Sequence, residues 1–137
     1  MSPLDPKVRG LARRQLLTLH HESGTGHLGG ALSCIDALLV LFHGHMAAED
    51  EFILSKGHAA TALYATLWSV DALGEDDLRT FAVEGTSLAA HPPVDKIEGI
   101  RFATGSLGHG LSLAAGSALG ARLQGSEARV HCLTSDG

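Results

Sequence analysis

The chain has 137 residues, of which 45% are hydrophobic and 18% charged, so it is long enough for one domain with one hydrophobic core. The net charge of −5 argues against a nucleic-acid partner, because the 10 lysines and arginines are scattered rather than clustered. The longest nearly apolar run, residues 35–42, is too short to cross a bilayer, and the N-terminus lacks the apolar core of a signal peptide. We therefore expect neither nucleic acid nor a membrane as partner.

The two cysteines, Cys34 and Cys132, lie far apart in apolar runs. This placement is typical of small buried side chains in a reducing compartment rather than of a disulfide framework. It predicts a cytoplasmic protein.

The first predicted element is a helix. Asp5 followed by Pro6 is an N-cap and first-turn signature, and apolar residues then recur at three- and four-residue spacing until about His21. Two glycines within residues 23–26 end the pattern. We expect a tight loop there, and it carries His27.

The next elements are a second helix and a short strand. Ser33 and Asp36 resemble a capping box, and an apolar stripe follows them to about Gly44. Residues 52–54 form a β-prone run after an acidic turn, which predicts a buried strand.

The middle of the chain predicts two more helices and a long loop. A third helix should run from about His58 to Ser69, and an acidic first turn starts a short helix at residues 75–81. Residues 83–104 show no sustained period, and a loop of this length in a small domain is usually functional. It contains His91.

The last predicted elements are an Ala- and Gly-rich helix at residues 107–124 and a buried strand at residues 128–134. The small residues of the helix suit close packing against a sheet or another helix. Together the elements predict an α/β fold with a parallel sheet flanked by helices, helix-rich and incomplete, in which residues 1–137 form part of one domain and no second domain is present.

Two segments predict an anion-binding site. Residues 53–62 and 103–110 each place a turn rich in Gly, Ser or Thr directly before an Ala- and Leu-rich run. Unpaired N–H groups and the macrodipole at a helix start attract phosphate. Asp136 follows the last strand, where an acidic residue is well placed for a metal that bridges phosphates.

Four blocks follow one another along the chain: SGTGHLGGALSCIDALLVL, DEFILSKGHAATALYATLW, AAHPPVDKIEGIRFATGSLGHGLSLAAGSALGARL and VHCLTSDG. In this order they resemble the diphosphate-binding N-terminal region of the transketolase family, closest to the N-terminal subunit of bacterial split enzymes. The resemblance implies thiamine diphosphate and Mg²⁺, with Ca²⁺ or Mn²⁺ as substitutes. It also implies transfer of a two-carbon ketol unit between sugar phosphates.

The resemblance also implies roles for individual residues. His27 and His91 correspond to the family's catalytic histidines in the substrate channel, and Asp136 to a metal ligand. The cofactor-binding positions are His58, Gly105, Ser106, Leu107 and Gly137. Judged without the family, His58 could equally be a helix cap, and His27 and His91 would more often be loop histidines with no role.

Four positions depart from the family pattern: Leu28, Ala90, His109 and Ser135. Leu28 replaces a proline, and Ala90 replaces a glycine that is free to adopt positive φ. The family's asparagine metal ligands and the glutamate of its second domain have no counterpart here. We expect weak cofactor binding and no measurable turnover by the chain alone, and we expect it to need a C-terminal transketolase subunit or domain and to form a homodimer.

Three alternatives stay open on the sequence alone. The first is a non-catalytic truncated homologue that acts as a binding or assembly module. The second is a deoxyxylulose phosphate synthase, whose pattern Gly26–Gly29 also suits. The third is an unrelated metalloenzyme, because the sequence has 9 histidines.

Overall fold

The computed structural model of the protein describes residues 4–135. In chain order, its elements are α1 (Pro6–Ser23), α2 (Leu28–Leu32), α3 (Ile35–Gly44), β1 (Glu51–Leu54), a 3₁₀ turn (Gly57–Ala59), α4 (Ala60–Ser69), α5 (Glu75–Leu78), α6 (His109–Leu123) and β2 (Val130–Leu133).

The two strands pair in parallel, with Ile53 opposite Cys132. The ladder continues past the strands, since Ser55 N–H donates to the carbonyl of Leu133 at 2.8 Å. Helix α6 packs on both strands, and Phe42 of α3 packs against Phe52 of β1, so the predicted α/β class with a parallel sheet flanked by helices is confirmed. Within residues 4–135, no helix is long and apolar enough to span a membrane.

The core is built around α4. Every residue from Ala60 to Leu67 is buried, because α1 and α3 cover this helix along its length. Tyr64 is fully buried and donates its hydroxyl to the carbonyl of Ala89 at 2.8 Å. This hydrogen bond fixes the long irregular loop, residues 83–104, on the core helix.

The start of α1 confirms its predicted cap. Asp5 accepts a hydrogen bond from the N–H of Lys7 at 2.8 Å, and Pro6 occupies the first turn. The helix ends at Ser23 with Gly24 in the left-handed conformation, at φ 65°. Glycine adopts this φ without steric cost.

The region between α1 and α3 differs from the prediction. The expected loop contains a short helix, α2, and the predicted capping box at Ser33 and Asp36 is wrong. Ser33 donates its hydroxyl to the carbonyl of Gly30, and Asp36 pairs with Arg13 at 2.7 Å. Ser33 therefore bonds to a neighbouring residue of α2 and Asp36 to a residue of α1, so neither side chain caps the start of α3.

Smaller differences concern element ends. The third predicted helix begins as the 3₁₀ turn Gly57–Ala59 and becomes α-helical only at Ala60. The helix α6 begins at His109, two residues later than predicted, after Gly108 at φ 83°. As expected, residues 83–104 contain neither helix nor strand, and α6 packs on the sheet through its small residues Gly110 and Ala114.

Candidate functional site

The two predicted anion-binding turns lie against each other. A methyl group at Gly57 would sit 2.6 Å from the carbonyl carbon and oxygen of Thr104 and 2.7 Å from the amide nitrogen of Gly105. Only glycine allows this approach, because real side chains do not come so close to a backbone. The site therefore starts from direct backbone packing between the turn after β1 and the segment before α6.

Three histidines surround this contact. The rings of His27 and His58 have their centroids 5.1 Å apart, and the His58 ring lies against Gly30 of α2. On the other side, a methyl group at Gly105 would lie 2.9 Å from Cδ2 of His91. The fold thus brings together His27, His58, His91 and Gly105, which are far apart in sequence.

Two backbone features position His27 and His91. His27 has φ 68° and occupies the N-cap position of α2, an uncommon conformation for a residue with a side chain. Thr104 N–H donates to the carbonyl of Pro92 at 3.3 Å, which closes the loop beside His91. Ala90 is not among the positive-φ residues of the described chain, so the substitution of glycine by alanine there costs no strain of that kind.

A buried histidine holds the α1 end of the site. His20 hydrogen-bonds through Nε2 to the hydroxyl of Thr61 at 2.9 Å, and its Nδ1 lies 3.1 Å from the carbonyl of Thr25. The first contact reaches α4 just after His58, and the second reaches the loop just before His27. His20 therefore links the two segments that carry these histidines.

The electrostatics of the cluster favour a neutral His58. Partial burial lowers its pKa below the ordinary histidine value, and the nearby positive charges of His27, Lys56 and His91 lower it further. The His58 imidazole therefore carries one N–H donor and one nitrogen lone pair at neutral pH.

The hydrogen-bonding groups of the site fit a phosphorylated cofactor. The hydroxyl of Thr104 is buried and has no hydrogen-bond partner, although it directly precedes Gly105. Buried hydroxyls nearly always have partners, so an orphan hydroxyl beside the contact between Gly57 and Gly105 suggests a ligand group. Together with the histidines and the glycine-lined backbone, it provides the donors that a diphosphate-bearing ligand needs.

The carboxyl ends of the two strands open onto a cleft of about 190 Å³. Leu107 lines it, together with Ser55, Thr134 and Ser135. Ser106 is exposed beside it. The predicted metal ligand Asp136 and the predicted cofactor-binding Gly137 lie outside the described residues.

Sequence reasoning missed two polar residues at the site, Thr104 and Lys56. Both stand next to glycines of the quoted blocks, but only the fold shows that Thr104 has an orphan hydroxyl and that Lys56 is a buried residue. Within residues 4–135, no group of three or more His, Cys, Asp or Glu side chains is arranged to hold a metal ion.

Comparison with known proteins shows the family to which this chain belongs. Residues 12–129 match the family model described as "Transketolase, thiamine diphosphate binding domain". The chain is 33% identical over 134 residues to one of the subunits of apulose-4-phosphate transketolase from Phocaeicola vulgatus, covering 91% of this chain and 47% of that protein. It is 34% identical over 123 residues to the 6-deoxy-6-sulfo-D-fructose transketolase subunit SqwG from Clostridium sp., covering 83% of this chain and 45% of that protein.

Solved structures agree with the sequence comparison. Transketolase from Leishmania mexicana superimposes with a TM-score of 0.83 at 26% identity, covering all of this chain and 23% of that one. The chain spans about half the length of the curated split-transketolase subunits that it matches. It therefore belongs to the transketolase family and corresponds to the N-terminal, thiamine diphosphate-binding region.

Proposed function

We propose that this chain is the diphosphate-binding portion of a thiamine diphosphate-dependent transketolase, which moves a two-carbon ketol unit from a ketose phosphate to an aldose. The observation that carries the proposal is the convergence of His27, His58 and His91 on the backbone contact between Gly57 and Gly105. The same residues carry the resemblance to the family, so the sequence and the geometry support one site.

The residues of the cluster take separate roles in this proposal. Neutral His58 donates its single N–H to a diphosphate oxygen, while the glycine at position 105 lets the cofactor approach the backbone. His27 and His91 are exposed and hold or move protons at the hydroxyl groups of the sugar. When bound, the cofactor supplies a stabilised carbanion equivalent for carbon–carbon bond cleavage and formation.

We further propose that Ser106 and Leu107 contact the cofactor, and that Asp136 and Gly137 hold Mg²⁺ and a phosphate. Support comes from the cleft at the strand ends, which Leu107 and Ser135 line. A single aspartate supplies few of the six oxygens that Mg²⁺ prefers, so phosphate, water and further ligands complete the shell. We therefore expect weak cofactor binding and no turnover by residues 1–137 alone.

The proposed partners are a C-terminal transketolase subunit or domain and a second copy of the chain. Two relatives are named as subunits of apulose-4-phosphate transketolases, which indicates that those proteins assemble with another chain. In this chain, the side of α6 away from the sheet leaves two large apolar side chains exposed, Leu119 and Leu123. Exposed apolar groups of this kind are typical of protein interfaces. A cytoplasmic location stays a prediction from the cysteine pattern.

The direct test is calorimetric titration of thiamine diphosphate with Mg²⁺ into the wild type and into His58→Ala, with and without a candidate C-terminal subunit. We expect His58→Ala to weaken binding by roughly tenfold or more, because a hydrogen bond to a charged group is worth about 1.5–3 kcal/mol. His21→Ala, an exposed histidine of α1, is the matched control and should bind like the wild type. Equal affinities of His58→Ala and the wild type would refute the diphosphate role of His58.

A further inference from the structure

Lys56 is a buried cation at the edge of the histidine cluster. Only 7% of the residue is exposed, and it stands between the end of β1 and the 3₁₀ turn that carries His58. Its ammonium group donates to the hydroxyl of Ser33 at 3.1 Å. Ser33 uses its own hydrogen to donate to the carbonyl of Gly30 at 2.8 Å, so its lone pairs are left to accept from Lys56.

The charge of Lys56 has no counter-charge in the described part of the protein. No aspartate or glutamate of residues 4–135 lies within ion-pair distance of its nitrogen, and Ser33 is the hydrogen-bond partner that the structure gives it. An ammonium has three N–H donors, and burying it beside neutral oxygens alone is unfavourable. Most buried charges are paired with an opposite charge.

The groups around Lys56 are cationic or neutral. Its positive charge acts on His58, which also faces His27 and His91, and on the thiol of Cys34. Ser33 is exposed, so the hydrogen bond between Lys56 and Ser33 lies at the margin of the buried region rather than deep in the core.

We propose that Lys56 binds a phosphate group of the ligand that occupies the histidine site. A phosphate oxygen would supply both the missing negative charge and acceptors for the free N–H donors, and lysine is a common phosphate ligand in this role. The inference rests on the proposed function in taking the phosphate from the cofactor or from a sugar phosphate. Ser33 acts as a positioning residue that orients the ammonium.

The test uses the full chain and four probes: pyrophosphate, thiamine diphosphate, ribose 5-phosphate and unphosphorylated thiamine. Calorimetry is performed on the wild type, Lys56→Met and the matched control Lys96→Met, which removes an exposed lysine. Methionine keeps the length of the stem and removes the charge. In parallel, the Nζ resonance of Lys56 in the wild type is followed by NMR during each titration, so the test does not depend on the folding of a variant.

We expect Lys56→Met to bind the phosphorylated probe roughly tenfold or more weakly, with Lys96→Met unchanged and the Nζ resonance shifted by the same probe. Ser33→Ala should show a smaller loss. Loss for pyrophosphate and thiamine diphosphate identifies the cofactor as the source, whereas loss for ribose 5-phosphate alone identifies the sugar.

Other outcomes separate the two proposals. If the wild type binds thiamine diphosphate but Lys56→Met binds it equally well and Nζ does not shift, the role of Lys56 is refuted and the proposed function stands. If pyrophosphate binds through Lys56 but thiamine diphosphate does not bind, the cofactor assignment fails and the phosphate site stands. If no phosphorylated probe binds the wild type even with Mg²⁺ and the candidate C-terminal subunit present, both are overturned.

Discussion

Substituting Gly57 by alanine tests the backbone contact on which the site is built. The added methyl group would lie 2.6–2.7 Å from three backbone atoms of Thr104 and Gly105. Ordinary van der Waals contact begins at 3.4 Å, so one of the two segments has to move by roughly 0.8 Å. Backbone atoms cannot rotate away as a flexible side chain would.

Overpacking of this kind costs about 1–3 kcal/mol. For a chain of this size each kcal/mol lowers Tm by about 4 °C, so we expect a decrease of roughly 4–12 °C. The displacement also shifts Gly105 relative to His91, which should weaken thiamine diphosphate binding beyond the effect on stability.

The measurements are thermal unfolding by circular dichroism and calorimetric titration of the cofactor. Gly116→Ala is the matched control, because a methyl group there meets no atom within 4 Å. Alanine is the better helix former, so this variant should be more stable by about 0.5–1 kcal/mol. A Gly57→Ala protein with wild-type Tm and wild-type affinity would show that the two turns do not touch as described.

Two further substitutions test the elements around the site. Tyr64→Phe removes the hydroxyl that donates to the carbonyl of Ala89 and so leaves that carbonyl without this donor. The free energy of unfolding, measured by urea denaturation, should fall by about 1–3 kcal/mol, and the loop that carries His91 should become looser. Unchanged stability would contradict this anchoring role. Hydrogen bonds from the backbone N–H groups of Arg129 and Ala47 hold the pKa of Asp50 below its usual range. The stability that Asp50 provides should therefore be complete above about pH 4 and fall as the pH drops further, and Asp50→Asn should flatten this acid limb of a Tm-against-pH curve. An equally steep acid limb in Asp50→Asn would assign the pH dependence to other groups.

The pattern of small and apolar residues was enough to predict much of the fold. The cap at Asp5, the irregular stretch at residues 83–104 and the two strands depend on local rules, and the structure has all of them. The predicted burial is correct for β1 but wrong for β2, whose residues Val130–Leu133 are all only partly buried. Local rules failed at Ser33, whose spacing from Asp36 suggests a capping box. Its hydroxyl instead donates to the carbonyl of Gly30 in α2 and accepts a hydrogen bond from Lys56. The contact with Lys56 cannot be inferred from neighbours in sequence, because Lys56 is 23 residues away.

The sequence by itself determined which residues were candidates for the functional site. Glycine-rich turns before helices indicate anion binding, and the histidines within these segments match the family's sequence blocks. Only the tertiary structure decided that these turns meet, because a contact between Gly57 and Thr104 depends on how α6 and β1 pack. The burial of Lys56 and the orphan hydroxyl of Thr104 likewise result from packing. Burial and hydrogen-bond satisfaction are set by residues distant along the chain, so no local pattern encodes them.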